Sequence, residues 1–447
     1  MTIKLLVKNK NAIFKKLIII FFFLLIIIFT KHFNFLKNLI YNHKQNQIKI
    51  AIYSIHLKNG GAERQTSLML NYFNKVKNFK LFLYTCLQKE ENEYTISKNI
   101  ERRVIQNNLI KILTRDKIDI LIYQFYNEKE LIKLSQFKKA NIIIINRSCF
   151  LHWIYYNSFH IFQFLYKIYK RFNYIISLIH FENDYLFKKW GIKSILMNNF
   201  IPFDYYSVIP SDLSSKIILM IGRGQDKIKR LDLGIISMKF IIKEIPNVEM
   251  KIISYKDQYL INLINENKLE KNIEFMGYFS RPEQFYKNAS LHLFPTLAEA
   301  FPNILSETLI YGIPNILVGL DYVTTAKGGT IIVYDESPLT IAKISIKLLN
   351  NKKYRKQLGR AARRNMKKFK NDLLLKKWVK IILSIYKRKN YYNRLISDTN
   401  NKIKHIEKKK AIKILGNQLK LLKMRNRTFE RISIKDIENM SYMVNLK

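Results

Sequence analysis

Short apolar runs of strand length alternate with stretches of helical spacing along most of this chain, and that alternation limits the fold more than any other feature. Residues 47–57, QIKIAIYSIHL, read as a buried strand. Asn59-Gly60-Gly61 breaks the run, and from Ala62 to Phe73 the apolar residues Leu68, Leu70 and Phe73 take helical spacing. Strand, glycine turn and helix in that order open a doubly wound α/β unit. Further strand-like runs follow at Leu81–Cys86, Ile118–Tyr123, Asn141–Ile145 and Tyr174–Leu178, with helical stretches between several of them. The pattern predicts a parallel sheet covered on both faces.

The alternation restarts after Pro202 and Pro210. Ile217–Gly222, Val248–Ser254, Asn272–Met276, Leu291–Phe294, Asn315–Val318 and Thr330–Val333 read as strands. Leu231–Lys243, a segment from about Asn303 to Tyr311, Ser337–Asn350 and Lys353–Phe369 read as helices, with Gly312 and Pro314 ending the second of these. The expected architecture is two Rossmann-like units side by side, 47–205 and 206–372, with a helix at 373–392 carrying the stripe Trp378, Ile381, Ile382, Ile385 and Tyr386. Flanking them are a basic N-terminus with an apolar core (1–46) and a basic helical or partly disordered tail (393–447).

Leu17–Thr30 is an uncharged, mostly apolar stretch of fourteen residues, preceded by Lys15 and Lys16 and followed by Lys31. As a helix it spans about 21 Å, less than a hydrocarbon core of ~30 Å, a gap that lysine snorkelling and local thinning narrow. No small-residue cleavage site follows it, so the expectation is an uncleaved membrane anchor; a helix lying in the interface and a cleaved signal are the alternatives. Charge on both flanks leaves orientation open.

Lys and Arg number 78 against 33 Asp and Glu, a formal charge of +45. Such a balance fits a polyanionic partner, an anionic membrane surface or nucleic acid. It equally fits compositional bias, because the charge is dispersed and Lys, Asn, Ile, Phe and Tyr are abundant together. No nucleic-acid motif is visible, so a membrane surface is the expected partner and nucleic acid is not. Only two cysteines, Cys86 and Cys149, exclude a disulfide scaffold and a cysteine-based zinc cluster.

Chemistry concentrates in three segments. In Ser290–Pro314, SLHLFPTLAEAFPNILSETLIYGIP, Glu299 sits in the loop after a strand and Glu307 about a turn into the next helix. The helix N-terminus, with free N–H groups at Phe301–Ile304, is suited to an anion, and the flanking carboxylates suit hydroxyl groups. A nucleotide sugar has that layout; a surface glutamate pair is the plainer reading. In ILMIGRGQDKIKRLD, Arg223 follows a strand and a glycine at the sheet's carboxyl edge, and Lys229 and Arg230 open the next helix. Two cations there suit a diphosphate. In NGGAER, Gly60 and Gly61 allow close backbone approach.

Together these segments resemble the retaining GT-B glycosyltransferases of glycosyltransferase family 4 (glycosyl transferases group 1). The resemblance covers about residues 48–390, closely across 216–370 and loosely across 100–200. NGGAER resembles the family's N-domain glycine loop, GRGQDKIKRLD its GR…K[GR]xD segment, YKNASLHLFPTLAEAFPNILSETLIYGIP the stretch ending in its E-x7-E motif, and LGRAARRN its late helix. The resemblance implies two Rossmann-like domains facing a central cleft. Arg223 and Lys229 would hold the donor diphosphate and Glu299 the donor-sugar hydroxyls. Ala300, Phe301, Pro302 and Asn303 would support sugar and phosphate, Glu307 would bind the ribose, and Gly60 and Gly61 would close over the donor.

Two departures stand out. Ala300 replaces a glycine common in relatives, and the N-domain strand end that often carries a histidine reads NIIIINRSCFLHW. Arg147 is there the candidate contact to acceptor or donor. His152, with the competing reading of a packing or surface histidine, and Glu182, after a later strand, complete the candidates.

The implied reaction transfers a sugar from a nucleotide sugar to an acceptor hydroxyl with retention. No aspartate pair at D-x-D spacing points to a metal, so neither metal nor cofactor is expected. A saccharide or lipid-linked acceptor in cell-surface polysaccharide, lipopolysaccharide or lipid-linked oligosaccharide synthesis, with catalytic domains on the cytoplasmic side, is the expected setting. An inactive GT-B binding or scaffold module and a basic nucleic-acid-binding protein are the rival readings.

Overall fold

The computed structural model describes residues 47–58, 60–105, 108–147, 159–279, 282–297, 299–318, 328–333 and 337–387. The apolar stretch Leu17–Thr30 and the tail 393–447 lie outside them. No helix among the described residues is long and apolar enough to cross a membrane.

The first unit begins with β1 (Ile48–Ser54), α1 (Gly61–Phe73), β2 (Phe79–Thr85) and β3 (Glu101–Val104). It continues through α2 (Leu109–Arg115), β4 (Ile120–Tyr123), α3 (Glu128–Gln136), β5 (Asn141–Ile145), α4 (Phe159–Tyr169), β6 (Tyr174–Ser177), α5 (His180–Trp190) and β7 (Ile195–Leu196). Its seven strands are all parallel, in the order β3-β2-β1-β4-β5-β6-β7. The central strands are apolar on both faces because helices cover both: Ile50, Ala51 and Ile52 have no exposure. Short polar side chains start the helices. Asn108 accepts from the Lys111 N–H, and Asn127 from the Glu130 N–H.

The second unit runs β8 (Ile217–Ile221), α6 (Leu231–Glu244), β9 (Glu249–Ile253), α7 (Gln258–Glu266), β10 (Ile273–Phe275), α8 (Glu283–Tyr286) and β11 (Leu291–Phe294). Next come α9 (Asn303–Ile310), β12 (Asn315–Val318), β13 (Thr330–Val333), α10 (Pro338–Leu349) and α11 (Lys352–Met366). Its six strands are parallel in the order β10-β9-β8-β11-β12-β13.

Both orders reverse once beside the first strand of the unit: between β1 and β4 in the first sheet, and between β8 and β11 in the second. Helices leave opposite faces of the sheet at such a point, and a crevice opens at the carboxyl ends of the two strands.

The last helix among the described residues, α12 (Asn371–Tyr386), returns to the first unit. Its Trp378 ring packs on Phe73 with centroids 5.6 Å apart. At its start, the Asn371 amide donates to the Tyr72 hydroxyl, and its oxygen accepts from the Ile201 N–H at 2.8 Å.

Candidate active site

The loop after β1 and the loops after β8 and β11 face each other across one cleft of about 400 Å³, within the range of small-molecule sites. On the second unit, Gly222 ends β8 and the Lys229 stem packs against it. A Cβ on Gly222 would come 3.2 Å from the Lys229 Cβ. The Lys229 ammonium pairs with the Glu299 carboxylate, which arrives from the loop after β11. Arg223 lies at the mouth with 72% of its side chain exposed, and its Nη2 donates to Asp226 at 2.8 Å.

Behind them, α9 starts at Asn303 with Pro302 as N-cap and no side-chain acceptor on its first N–H groups. Pro302, Asn303 and Ile304 line the cleft, so the positive end of the helix faces it. Ala300 and Phe301 line it too while being 5% and 6% exposed. Phe301 packs on Phe369 at 5.8 Å.

Asn303 also ties the two units together. Its Oδ1 accepts from Gln65 at 3.2 Å and from Asn199 at 2.9 Å, and its Nδ2 donates to the Gly61 carbonyl at 3.3 Å. Gly60 and Gly61 line the cleft from the first unit. The Glu63 side chain folds over Gly60 so closely that a Cβ there would sit 1.7 Å from its carboxylate oxygen.

Glu307 is placed differently from the expected ribose contact. It has no exposure and does not line the cleft. Its Oε1 accepts from Arg64 at 2.8 Å and its Oε2 from the Tyr286 hydroxyl at 2.7 Å. The physical reason is α1. Arg64 projects from its first turn into the space beside α9 and takes the carboxylate. Burial pushes the Glu307 pKa above the ordinary carboxylate range, and Arg64 and Tyr286 pull it part of the way back. Burial works against the Arg64 charge, and Glu307, Tyr286, Tyr94 and Glu283 together more than offset it.

Glu182 is likewise away from the cleft. It is 2% exposed, accepts from Asn146 at 2.8 Å, and reaches back to the Leu178 N–H at 3.3 Å from the first turn of α5. That is the work of a helix-start acid rather than of a ligand contact. Arg147 does line the cleft, directly beyond β5. His152 lies outside the described residues.

Several cleft residues were missed in the sequence, five of which shape its walls most. Tyr255 and Tyr278 follow β9 and β10 and stack at 5.1 Å with planes 7° apart on the cleft wall. Tyr94 faces Tyr278 from the first unit across the same cleft. Arg64 sits inside the NGGAER segment, whose legible signal is the glycine pair. Asn199 donates to the Phe301 carbonyl at 3.2 Å. The aromatic pair had a readable signal, a tyrosine at each of two neighbouring strand ends; Asn199 and Tyr94 had none.

Among the described residues no group of three or more His, Cys, Asp or Glu side chains gathers to hold a metal. Residues 207–365 match the family model described as Glycosyl transferases group 1. The chain superposes on sucrose-phosphate synthase from Thermosynechococcus elongatus with a TM-score of 0.64 at 13% identity, covering 77% of this chain and 100% of that one. HepE from Anabaena, solved with UDP and glucose, gives 0.62 at 13%, covering 76% and 100%. WaaG, a glycosyltransferase involved in lipopolysaccharide biosynthesis, gives 0.56 at 15%, covering 74% and 99%. No curated protein matches by sequence. At these identities the likeness is one of fold, and the fold is that of the GT-B glycosyltransferases.

Proposed function

We propose that this protein moves a glycosyl group from a nucleoside diphosphate sugar to an acceptor hydroxyl, with retention, as in glycosyltransferase family 4. The observation that carries the reading is one cleft, shared by two switch points, with Lys229, Glu299 and the open end of α9 on its second-unit wall. Arg223, exposed at the mouth beside Asp226, and Lys229 receive the diphosphate. Glu299 accepts from sugar hydroxyls, and the Asn303 and Ile304 N–H groups face the phosphate nearest the sugar.

In the reaction the bond from the anomeric carbon to the phosphate oxygen breaks and a bond to the acceptor oxygen forms. The acceptor proton passes to the leaving diphosphate. Negative charge grows on that diphosphate, and fixed cations beside it supply the stabilisation, about 3–4 kcal/mol for one well-placed donor. The reading needs neither a metal nor a cofactor, because the side-chain cations carry this load. For Glu307 to hold the ribose, its oxygens must first leave Arg64 and Tyr286.

The apolar stretch Leu17–Thr30 and the +45 charge support an anchored enzyme at an anionic membrane surface. Its acceptor would be a saccharide or lipid-linked saccharide, in lipopolysaccharide or other cell-surface polysaccharide synthesis, with the cleft on the cytoplasmic side. HepE's UDP and glucose and WaaG's role support the donor class and the setting.

The test is thermal unfolding with UDP-, GDP-, ADP- and CDP-sugars. A donor at a hundred times its Kd stabilises the native state by about 2.7 kcal/mol. One nucleotide class should raise the Tm and be consumed when lipid extract is added. No shift with any of them sinks the reading; a shift without turnover points to a binding module.

A further inference from the structure

Arg147 is a cation on the first-unit wall of the cleft whose bonds all go to neutral groups. Its Nε donates to the Gln124 side-chain oxygen at 2.8 Å, its Nη1 to the Asn199 oxygen and its Nη2 to the Met69 sulfur at 3.1 Å. Among the described residues no carboxylate lies within ion-pair distance of it. Glu63 acts on it only as a more distant charge. Every other cleft cation has an acid: Lys229 has Glu299, Arg223 has Asp226 and Arg64 has Glu307.

A guanidinium carries five N–H donors. One is spent on each nitrogen here, which leaves one N–H on Nη1 and one on Nη2. Two donors on the terminal nitrogens are the pattern that meets a carboxylate or a phosphate fork to fork. The desolvated site pushes the Arg147 pKa down to about 9, so the group is still charged at neutral pH and its charge is poorly compensated. The neutral bonds fix the side chain without neutralising it, which is how a protein holds a cation ready for an anionic ligand.

The position indicates which part of the ligand carries the charge. Arg223 and Lys229 lie on the second unit, at the carboxyl end of β8. Arg147 faces the cleft from the other unit and is joined through Asn199 to Phe301 and Asn303. On the donor reading above, it would stand past the diphosphate, on the side where the transferred sugar meets the acceptor. We propose that Arg147 recognises an anionic group, carboxylate or phosphate, on the transferred sugar or on the acceptor, so that the enzyme selects an acidic substrate over a neutral one. The proposal rests on the donor reading above.

The experiment uses the full chain, wild type, Arg147→Gln and Arg147→Lys, with far-ultraviolet circular dichroism to confirm folding. Binding of UDP, GDP, ADP and CDP alone is measured first; the arms are written for UDP and use whichever nucleotide binds. The donor arm then compares UDP-glucuronate with UDP-glucose, and the acceptor arm compares glucose 6-phosphate with methyl glucoside as stimulants of UDP-glucose turnover. In one arm the wild type should favour the anionic probe at least tenfold. Arg147→Gln should erase that preference, Arg147→Lys should keep part of it, and UDP affinity should hold within twofold in both. The arm that responds identifies the source of the charge.

Three results overturn the proposal while leaving the donor site standing: UDP binding with no charge preference in either arm, a preference that survives in Arg147→Gln, or a loss of UDP affinity in Arg147→Gln, which would give the cation to the diphosphate. If the wild type binds no nucleoside diphosphate, the donor reading fails and this inference falls with it.

Discussion

Arg64 and Glu307 stand 243 positions apart and form a 2.8 Å ion pair that fastens the first helix of one unit to α9, behind the cleft wall of the other. Both are buried, so the pair is sensitive to losing one member. Arg64→Ala leaves a buried carboxylate with only Tyr286 to serve it, a situation that costs about 3–5 kcal/mol. Its Tm should fall by several degrees, and small-angle scattering should show a more open molecule. The double variant Arg64→Met, Glu307→Gln should lose less than the two single changes added together. Additive losses would mean the pair is not coupled.

Lys229 holds Glu299 at the centre of the second-unit wall. Lys229→Ala removes the cation nearest the expected diphosphate and leaves Glu299 unpaired. Turnover should drop on the order of 100-fold or more, the scale seen when a fixed transition-state donor is deleted. Arg223→Ala should also lower turnover while leaving the Tm unchanged, because that side chain is 72% exposed and packs on little. Full turnover in both variants would remove the diphosphate from this wall.

The stacked pair Tyr255 and Tyr278 offers an aromatic face at the rim of the cleft, and Tyr255 is 54% exposed. A nucleobase stacking there would gain about 0.5–1.5 kcal/mol beyond its buried area. Tyr255→Ala should therefore weaken UDP binding by up to roughly tenfold with little change in stability. Tyr278→Ala should weaken it further, because the ring that holds Tyr255 in its stack goes as well. Isothermal titration of UDP into each variant decides the matter; unchanged Kd values place the base elsewhere.

Most of the sheet architecture was legible because buried parallel strands are apolar on both faces. The runs NIIII at Asn141–Ile145 and NILV at Asn315–Val318 announce themselves without neighbours. The strand Glu101–Val104, ERRV, gave no such signal. It is a half-buried edge strand, and its charged residues suit an edge that other chains must not join. Of the cleft lining, the residues set by local order were legible: Arg223, Lys229, Glu299 and the start of α9 all fall in the segments that follow β8 and β11. The partners of Glu307 and Arg147 were not readable, because they depend on tertiary packing: between the two units for Arg64 and Glu307, and within the first unit for Arg147. Arg64, Asn199 and Gln124 reach them from elements far away in sequence.

His292 on β11 makes the second unit sensitive to acid. It has no exposure, its Nδ1 meets the Asn315 side-chain oxygen, and its Nε2 has no hydrogen-bond partner. Burial pushes its pKa from 6.5 down to about 4, with the Asn315 bond opposing the shift. The unfolded chain therefore takes the proton first. The stability held by the neutral ring is fully present above about pH 6.5 and is lost as the pH falls toward about 4. Within that window the loss approaches about 1.4 kcal/mol per pH unit. Urea unfolding at pH 7.5 and pH 5.0 should show a smaller pH-dependent loss in His292→Gln than in the wild type; equal losses would show that another group carries it.

Gly359 on α11 packs against Gly312, which follows α9 with φ of +71°. A Cβ at position 359 would lie 2.3 Å from the Gly312 carbonyl oxygen and 3.2 Å from its carbonyl carbon. Both are backbone atoms, so no rotamer change relieves the clash. Alanine is the better helix former by about 1 kcal/mol, and an exposed helix would gain from the exchange. Here the two elements must move apart, and overpacking of this kind costs about 1–3 kcal/mol or more. The packing cost should win, so Gly359→Ala should lower the Tm. A raised Tm would show that α11 does not sit this close to the end of α9, and the support behind the anion-facing end of α9 would have to come from another element.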